Sequence, residues 1–427
     1  MARRVLLLNY EYPPLGGGAG VAAAALANTL AQQGVWVDVV TAADRAAAAP
    51  GSDVIVQRGR DGLEVHRVRI VRKGVHQTGM RGAGGYLRAA LPVVRRLVRR
   101  RRYDVVHCFF SLPTGALLPA AGLRDLPVVV SLRGSDVPGY DCANRSLVAM
   151  HALLRPLTRW IWRRADRVVV VSDGLGRLAR ETDRTLDYAV IPNGVDMQLF
   201  HPPGAPARAD PNSVIRLLAV ARLIARKGIA DVLHALARLE RGRFHLEIVG
   251  SGPDAARLTA LTAELGLTNA VRFTGAVRNR GELAERYRAA DLFTLAPHHE
   301  AFGNVFAEAL ASGLPVVGST VGGIPELVRD QSNGLLVPPG EPEALAAAIQ
   351  RLAADPARRR AMAIRNRTHA EQALSWESAS ERYMAIYGEV IGRRRSRHAG
   401  GDTMPYGTSP ATSPAGTAAD PPRDTTQ

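Results

Sequence analysis

Short apolar runs rich in valine and leucine alternate along most of the chain with longer segments of helical period. The runs at residues 5–9, 35–41, 63–69, 105–108, 128–132 and 167–171 are apolar at nearly every position. That is the pattern of strands buried on both faces of a parallel sheet. Between them the spacing predicts helices over 21–33, 85–102 and 146–165. The alternation stops at residues 201–211, HPPGAPARADP, where four prolines and a glycine read as a linker. It then restarts with strands predicted at 216–220, 244–249, 271–274, 292–295, 315–318 and 335–337. The prediction is therefore an α/β chain of two similar domains, 1–200 and 213–374, joined by a linker at 201–212. One more helix is predicted at 375–392. Residues 393–427, rich in Ser, Thr, Pro, Gly and Ala without an apolar period, are predicted to be a disordered tail. Parallel sheets bind ligands at the carboxyl ends of their strands, so two facing sheets place a ligand in the cleft between them.

Composition narrows the functional classes. The 427 residues are 46% hydrophobic, enough for sizeable cores. The two cysteines, Cys108 and Cys142, make no disulfide framework, which points to a reduced, cytoplasmic setting. No apolar run reaches 18 residues, and the N-terminal apolar stretch is too short for a signal peptide. The formal charge is +16 and is uneven: residues 1–200 carry 28 basic against 16 acidic side chains, a net +12. Lysine occurs only at Lys73 and Lys227, and the densest arginine cluster is residues 95–102. Aromatics are 5% and only Tyr103 adjoins that cluster, which argues against a nucleic-acid partner. Leu87, Leu91, Val94 and Val98 share a helical face flanked by arginines. This predicts a peripheral helix on the anionic inner face of a membrane, with packing on the sheet as the alternative for the apolar face.

Three segments carry candidate chemistry. Residues 11–20, EYPPLGGGAG, follow the first strand and precede the first helix. Gly16 and Gly17 let backbone approach a ligand, and the helix N-terminus offers free N–H groups to phosphate. Gly18, Gly20 and Ala23 fit a GxGxxA dinucleotide fingerprint, but residues 10–15 separate them from the strand, so a phosphate-facing loop is favoured. In the second segment Arg222 and Lys227 lie between a strand and a helix, a pair of cations suited to a diphosphate. The third, EAFGNVFAE, sets Glu300 on a loop after a strand and Glu308 within the next helix. A carboxylate inside such a cleft can bind a vicinal diol through charge-assisted hydrogen bonds. There is no DxD, no Cys/His spacing for zinc, no GxSxG elbow and no GxxxxGK[ST] loop, so no metal and no cofactor are expected.

Together these residues, with IPNGVD at 191–196, VGSGP at 249–253 and VGGIPELV at 321–328, resemble glycosyltransferase family 4 over residues 4 to about 391. The resemblance implies the GT-B fold, two Rossmann-like domains facing a central cleft. It also implies a retaining, metal-independent hexosyltransferase that takes its sugar from a nucleoside diphosphate. The implied acceptor is a glycan or lipid-linked molecule of cell-surface polysaccharide or glycolipid synthesis. A soluble small-molecule acceptor and a sugar-nucleotide epimerase are the alternatives. By resemblance, Arg222 and Lys227 neutralise the donor diphosphate, Glu308 binds its ribose, and Glu300 lies beside the sugar and phosphate. Phe302, Gly303 and Asn304 offer backbone to the sugar, Gly16 and Gly17 close on the diphosphate, Gly250 joins the donor site, and Val277 lies near the base. The family's Thr-x-His-Gly-x-Asp stretch reads here Ser131-Leu-Arg133-Gly-Ser-Asp136. Arginine is no base at neutral pH. Arg133 is therefore expected to brace negative charge, and Asp136 and His107 join it as catalytic candidates facing the cleft.

Overall fold

The computed structural model describes residues 2–44, 54–59, 61–70, 79–119, 121–204 and 214–399. Most of the expected linker and residues 400–427 of the expected tail lie outside the described residues.

The N-terminal sheet contains β1 (Arg4–Leu8), β2 (Trp36–Asp44), β3 (Val54–Arg58), β4 (Leu63–Ile70), β5 (Val105–Phe109), β6 (Val128–Leu132), β7 (Arg167–Val170) and β8 (Tyr188–Val190). Its order is β3-β4-β2-β1-β5-β6-β7-β8. Every pairing is parallel except β3 with β4. Neither β3 nor β8 stands out in the sequence. β3 is an edge strand with three of its five positions in water, and β8 has three residues, so neither shows a two-sided apolar run. The helices are α1 (Gly18–Gln32), α2 (Gly79–Arg100), α3 (Arg145–Arg164) and α4 (Asp173–Thr182). Alternate residues of β1 point to opposite faces: Leu6 and Leu8 meet the core under α2 and α3, Val5 and Leu7 the core under α1.

The second sheet holds β9 (Ile215–Val220), β10 (Phe244–Val249), β11 (Val271–Gly275), β12 (Leu292–Leu295), β13 (Val316–Ser319) and β14 (Gly334–Val337), ordered β11-β10-β9-β12-β13-β14 and wholly parallel. Around it lie α5 (Ile229–Leu236), α6 (Ala255–Glu264), α7 (Arg280–Ala289), α8 (Asn304–Ala311), α9 (Ile324–Leu327), α10 (Pro342–Ala353) and α11 (Pro356–Ala373). The last helix, α12 (Trp376–Ala399), returns to the first domain, where Tyr383, Tyr387 and Val390 pack with α1. It runs seven residues beyond the predicted 392, so residues 393–399 are helical, contrary to the tail expectation. Ion pairs of Arg393 with Glu389 and of Arg394 with Asp166 hold this extension.

The apolar face of α2 is turned inward. Val94 is fully buried, and Leu87, Leu91 and Val98 pack against the core, so this face is not free to enter a bilayer. Nor do all the arginines of residues 95–102 face water. Arg101 donates to Asp38 and to Glu64, and Tyr103 donates to Asp38 Oδ2 at 2.7 Å. Asp38, Glu64 and His66 form the one group of metal-type ligands among the described residues, with ligand atoms within 4.8 Å of one another. The Arg101 guanidinium is the cation bonded to both carboxylates. No described helix is long and apolar enough to cross a membrane.

Candidate active site

The cleft lies where the C-terminal ends of β1 and β6 meet the loops after β9 and β12. The glycine-rich loop ends in α1, whose N-cap is Gly17. The Gly17 N–H donates to Glu11 Oε2 at 3.2 Å, which fixes the loop. A Cβ at Gly18 would stand 2.6 Å from Asn304 Nδ2, so the first residue of α1 lies directly against the side chain that opens α8 of the other domain. Asn304 is the first residue of α8 and Gly303 its N-cap. The N-termini of two helices from opposite domains thus meet at one point, with their free N–H groups and positive dipole ends together.

Asn304 Oδ1 accepts from Asn193 Nδ2 at 2.9 Å, and Asn193 Oδ1 accepts from Arg133 Nη1 at 2.7 Å. Arg133 Nη2 donates to Tyr383 Oη at 2.7 Å, and the guanidinium lies 3.7 Å from the Phe109 ring centre. Arg133 is 9% exposed, its Nε is buried without a partner, and no carboxylate pairs with it among the described residues. A buried cation held only by neutral groups attracts an anion.

Asp136 is buried, and its carboxylate accepts from the backbone N–H of Ser111, Arg133 and Gly134 at 2.8, 2.9 and 3.1 Å. Burial raises its pKa against the opposing effect of those bonds. Asp136 therefore shapes the loop that carries Arg133, its carboxylate being engaged by three backbone N–H groups. The expectation that His107 faces the cleft is corrected. Its ring is fully buried, with Nδ1 bonded to Tyr387 Oη at 2.8 Å and Nε2 to Ser131 Oγ at 2.6 Å. Burial, and then the Arg133 charge, hold it well below the usual histidine range, so it is neutral.

Across the cleft, Lys227 Nζ donates to Glu300 Oε2, both side chains being largely buried. Arg222 lies on the same loop after β9, half-buried and without a carboxylate partner among the described residues. Gly250 follows β10 with its backbone against the Ala221 carbonyl, where a Cβ would stand at 1.8 Å. Gly250 thereby lets the two loops pack together. Val277 follows β11 and is half-buried against the core, and Phe302 is buried beside Gly303. Glu308 points inward from α8 at 6% exposure. Its Oε1 accepts from Arg280 Nη2 at 3.0 Å and its Oε2 from Tyr287 Oη at 3.0 Å. Burial raises its pKa against the opposing Arg280 charge and Tyr287 hydrogen bond.

Several cleft residues were not singled out from the sequence. Arg226, next to Lys227, donates to Tyr140 Oη at 3.1 Å across the domains, and the same hydroxyl accepts from the Ala301 N–H at 3.2 Å. Burial, then the Glu300 charge, push the Tyr140 hydroxyl up to about 12. Glu326 of α9 accepts from the N–H groups of Asp173 and Gly174, both at 2.8 Å, and so caps α4 from the other domain. Asn193 lies in the IPNGVD segment, the one sequence signal that pointed to it. Tyr383 and Arg280 gave none.

Two Rossmann-like domains that close on opposed helix N-termini, a Lys–Glu pair and a buried inward carboxylate define a GT-B glycosyltransferase. A model of the group 1 glycosyl transferases matches residues 207–369, and one of glycosyltransferase family 4 matches residues 16–199. The chain is 30% identical to the D-inositol 3-phosphate glycosyltransferase of Xylanimonas cellulosilytica, over 92% of its own length and 98% of that protein's. Its fold matches sucrose-phosphate synthase of Thermosynechococcus elongatus with a TM-score of 0.76 at 25% identity, covering 92% of this chain and all of that one. It also matches the fold of Anabaena HepE, solved with UDP and glucose, with a TM-score of 0.68 at 21% identity, covering 91% of this chain and all of that one. The chain belongs to the group 1 glycosyltransferases of family 4.

Proposed function

We propose that the enzyme moves a hexose from a nucleoside diphosphate to a lipid-linked or glycan acceptor, with retention and without a metal. The observation that carries this reading is the meeting of the α1 and α8 N-termini, with Glu300 and its partner Lys227 next to the α8 N-cap and Arg222 on the same loop as Lys227. Those groups converge on a point where a diphosphate would be neutralised as it departs. Glu308 takes the ribose hydroxyls, and the backbone at 302–304 takes the sugar. Arg133, a buried cation tied to Asn304 through Asn193, braces the charge that develops on the leaving phosphate. The bond from the anomeric carbon to phosphate oxygen breaks, the bond to the acceptor oxygen forms on the same face, and the acceptor's proton passes to the phosphate. HepE was solved with UDP and glucose, which supports a nucleotide-sugar donor. The arginine-rich outer face of α2 supports an acceptor at an anionic membrane on the cytoplasmic side. The name of the Xylanimonas relative favours a second reading, a soluble phosphorylated polyol as acceptor.

The test is a melting-temperature screen with UDP, GDP, ADP and TDP, followed by anomeric analysis of the product by NMR. Stabilisation by one diphosphate and a product anomer matching the donor's are expected. No stabilisation by any, or an inverted product, refutes the reading. Conversion of donor to an isomer without acceptor would identify an epimerase.

A further inference from the structure

Outside the cleft, the largest unexplained feature is the outer face of α3. This helix, RSLVAMHALLRPLTRWIWRR, holds no acidic residue. Its inner face is ordinary core: Ile161 and Trp162 are buried, and His151 and Thr158 lie beside them. Its outer face is not. Leu153 is 76% exposed, Val148 45% and Trp160 41%. Ala149, Leu153, Pro156 and Trp160 follow one another at helical spacing and form one stripe. Beside it a shallow groove of about 490 Å³ is lined by Ala152, Arg155, Pro156, Arg159, Trp160 and Arg163.

Charge decides what covers this stripe. Arg155 and Arg159 donate to the backbone carbonyls of Glu181 and Thr182, which orders them without neutralising them. Arg163 is the exception, paired with Asp183 at 2.9 Å. The neighbouring α2 shares the same core, so it covers the same side of the sheet. It contains no acidic residue and turns Arg88, Arg96 and Arg99 to water. The exposed faces of α2 and α3 are thus basic, with one apolar ridge on α3, and the exposed Glu181 of α4 adjoins them beside Arg155. An exposed tryptophan and leucine set among arginines suit the boundary between headgroups and acyl chains, where apolar groups enter and guanidinium groups remain with phosphate.

We infer that α3 is the element that enters the surface of an anionic lipid bilayer, with Leu153 and Trp160 inserted and the arginines of α2 and α3 on the headgroups. The inference rests on the reading of the acceptor as membrane-borne and specifies its docking surface. It separates two contributions: α2 supplies charge alone because its apolar side is buried, and α3 supplies apolar insertion.

The experiment is co-sedimentation of the full chain with vesicles of phosphatidylcholine alone or with 30% phosphatidylglycerol, at low and high salt. The wild type binds only the anionic vesicles, and high salt weakens binding. Leu153→Gln/Trp160→Gln, at exposed sites, keeps its melting temperature and loses about tenfold or more in vesicle affinity. Arg88→Gln/Arg99→Gln on α2 weakens binding at low salt and flattens its loss with salt, because fewer charge contacts remain to be screened. The proposal is overturned if the wild type ignores anionic vesicles, if it binds both kinds equally, or if the Leu153/Trp160 variant binds as wild type does. It is also overturned if that variant turns a dimer into a monomer by light scattering without vesicles, because the ridge would then be an interface between copies. Nucleoside-diphosphate stabilisation of the same proteins, measured without lipid, reports separately on the glycosyltransferase site. Its absence would refute the donor reading and leave the vesicle result standing.

Discussion

Replacing Glu308 by Gln tests the donor site most directly. The carboxylate is 6% exposed, with one oxygen on Arg280 and the other on Tyr287, each at 3.0 Å. A carboxylate has about four lone-pair sites, so two remain for a pair of ribose hydroxyls. Glutamine keeps the size but offers one acceptor oxygen and no charge. The variant loses at least one charge-assisted hydrogen bond, worth about 1.5–3 kcal/mol, or about ten- to a hundredfold in Kd. Folding is little affected. Arg280 is 40% exposed, so solvent screening reduces the lost ion pair to under about 1 kcal/mol, and removal of a desolvated charge offsets part of that. At a nucleotide concentration of about 100 times the wild-type Kd, ligand stabilises the wild type by about 2.7 kcal/mol. A variant with a hundredfold weaker site gains about 0.4 kcal/mol at that concentration. The assay is titration calorimetry with the nucleoside diphosphate found in the screen, alongside melting curves with and without it. Glu300→Gln serves as control and should mainly slow turnover, because Glu300 pairs with Lys227 and is proposed to lie beside the sugar rather than the ribose. Wild-type affinity in a well-folded Glu308→Gln protein would refute the ribose assignment.

Arg133→Met should lower turnover about 10²–10³-fold with little change in melting temperature, since loss of a buried, unpaired charge offsets loss of its two neutral partners; a large fall in melting temperature with turnover intact would make Arg133 structural. Nucleotide affinity should weaken as pH falls through the raised pKa of Glu308, because the protonated acid no longer accepts from both ribose hydroxyls; calorimetry across pH 4.5–7 checks this. The same shift makes Glu308 stabilise the fold less as pH rises through that pKa, since the folded state holds its proton more tightly than the unfolded state. Arg101→Gln should destabilise the protein by about 3 kcal/mol in denaturant titration, because it leaves the buried Asp38 with only Tyr103 and His66. Turnover should survive excess EDTA; loss with EDTA and rescue by Mg²⁺ would reveal a metal requirement.

The sequence by itself determined the elements that repeat a local rule. Strands such as β1, β5 and β6 are apolar on both faces, and the segments between them have helical period, so the two-sheet plan was legible in the sequence. Glycines near strand ends and the Glu300–Glu308 frame marked the cleft for the same reason: they occupy loops that a parallel sheet needs at one edge. Edge strands β3 and β8 were not legible, because pairing on one side demands little of side chains. Tertiary structure alone decided which polar groups meet. His107 lies in the middle of β5 and Arg133 just past the end of β6, and α12, arriving some 250 residues later, covers the first with Tyr387 and leaves the second without a counter-charge. The apolar stripes of α2 and α3 look alike in sequence, but α2 rests its stripe on the sheet while α3 has a second stripe in water. Periodicity shows that a helix has an apolar face. Burial is a property of what packs against that face, and the chain supplies that from elsewhere.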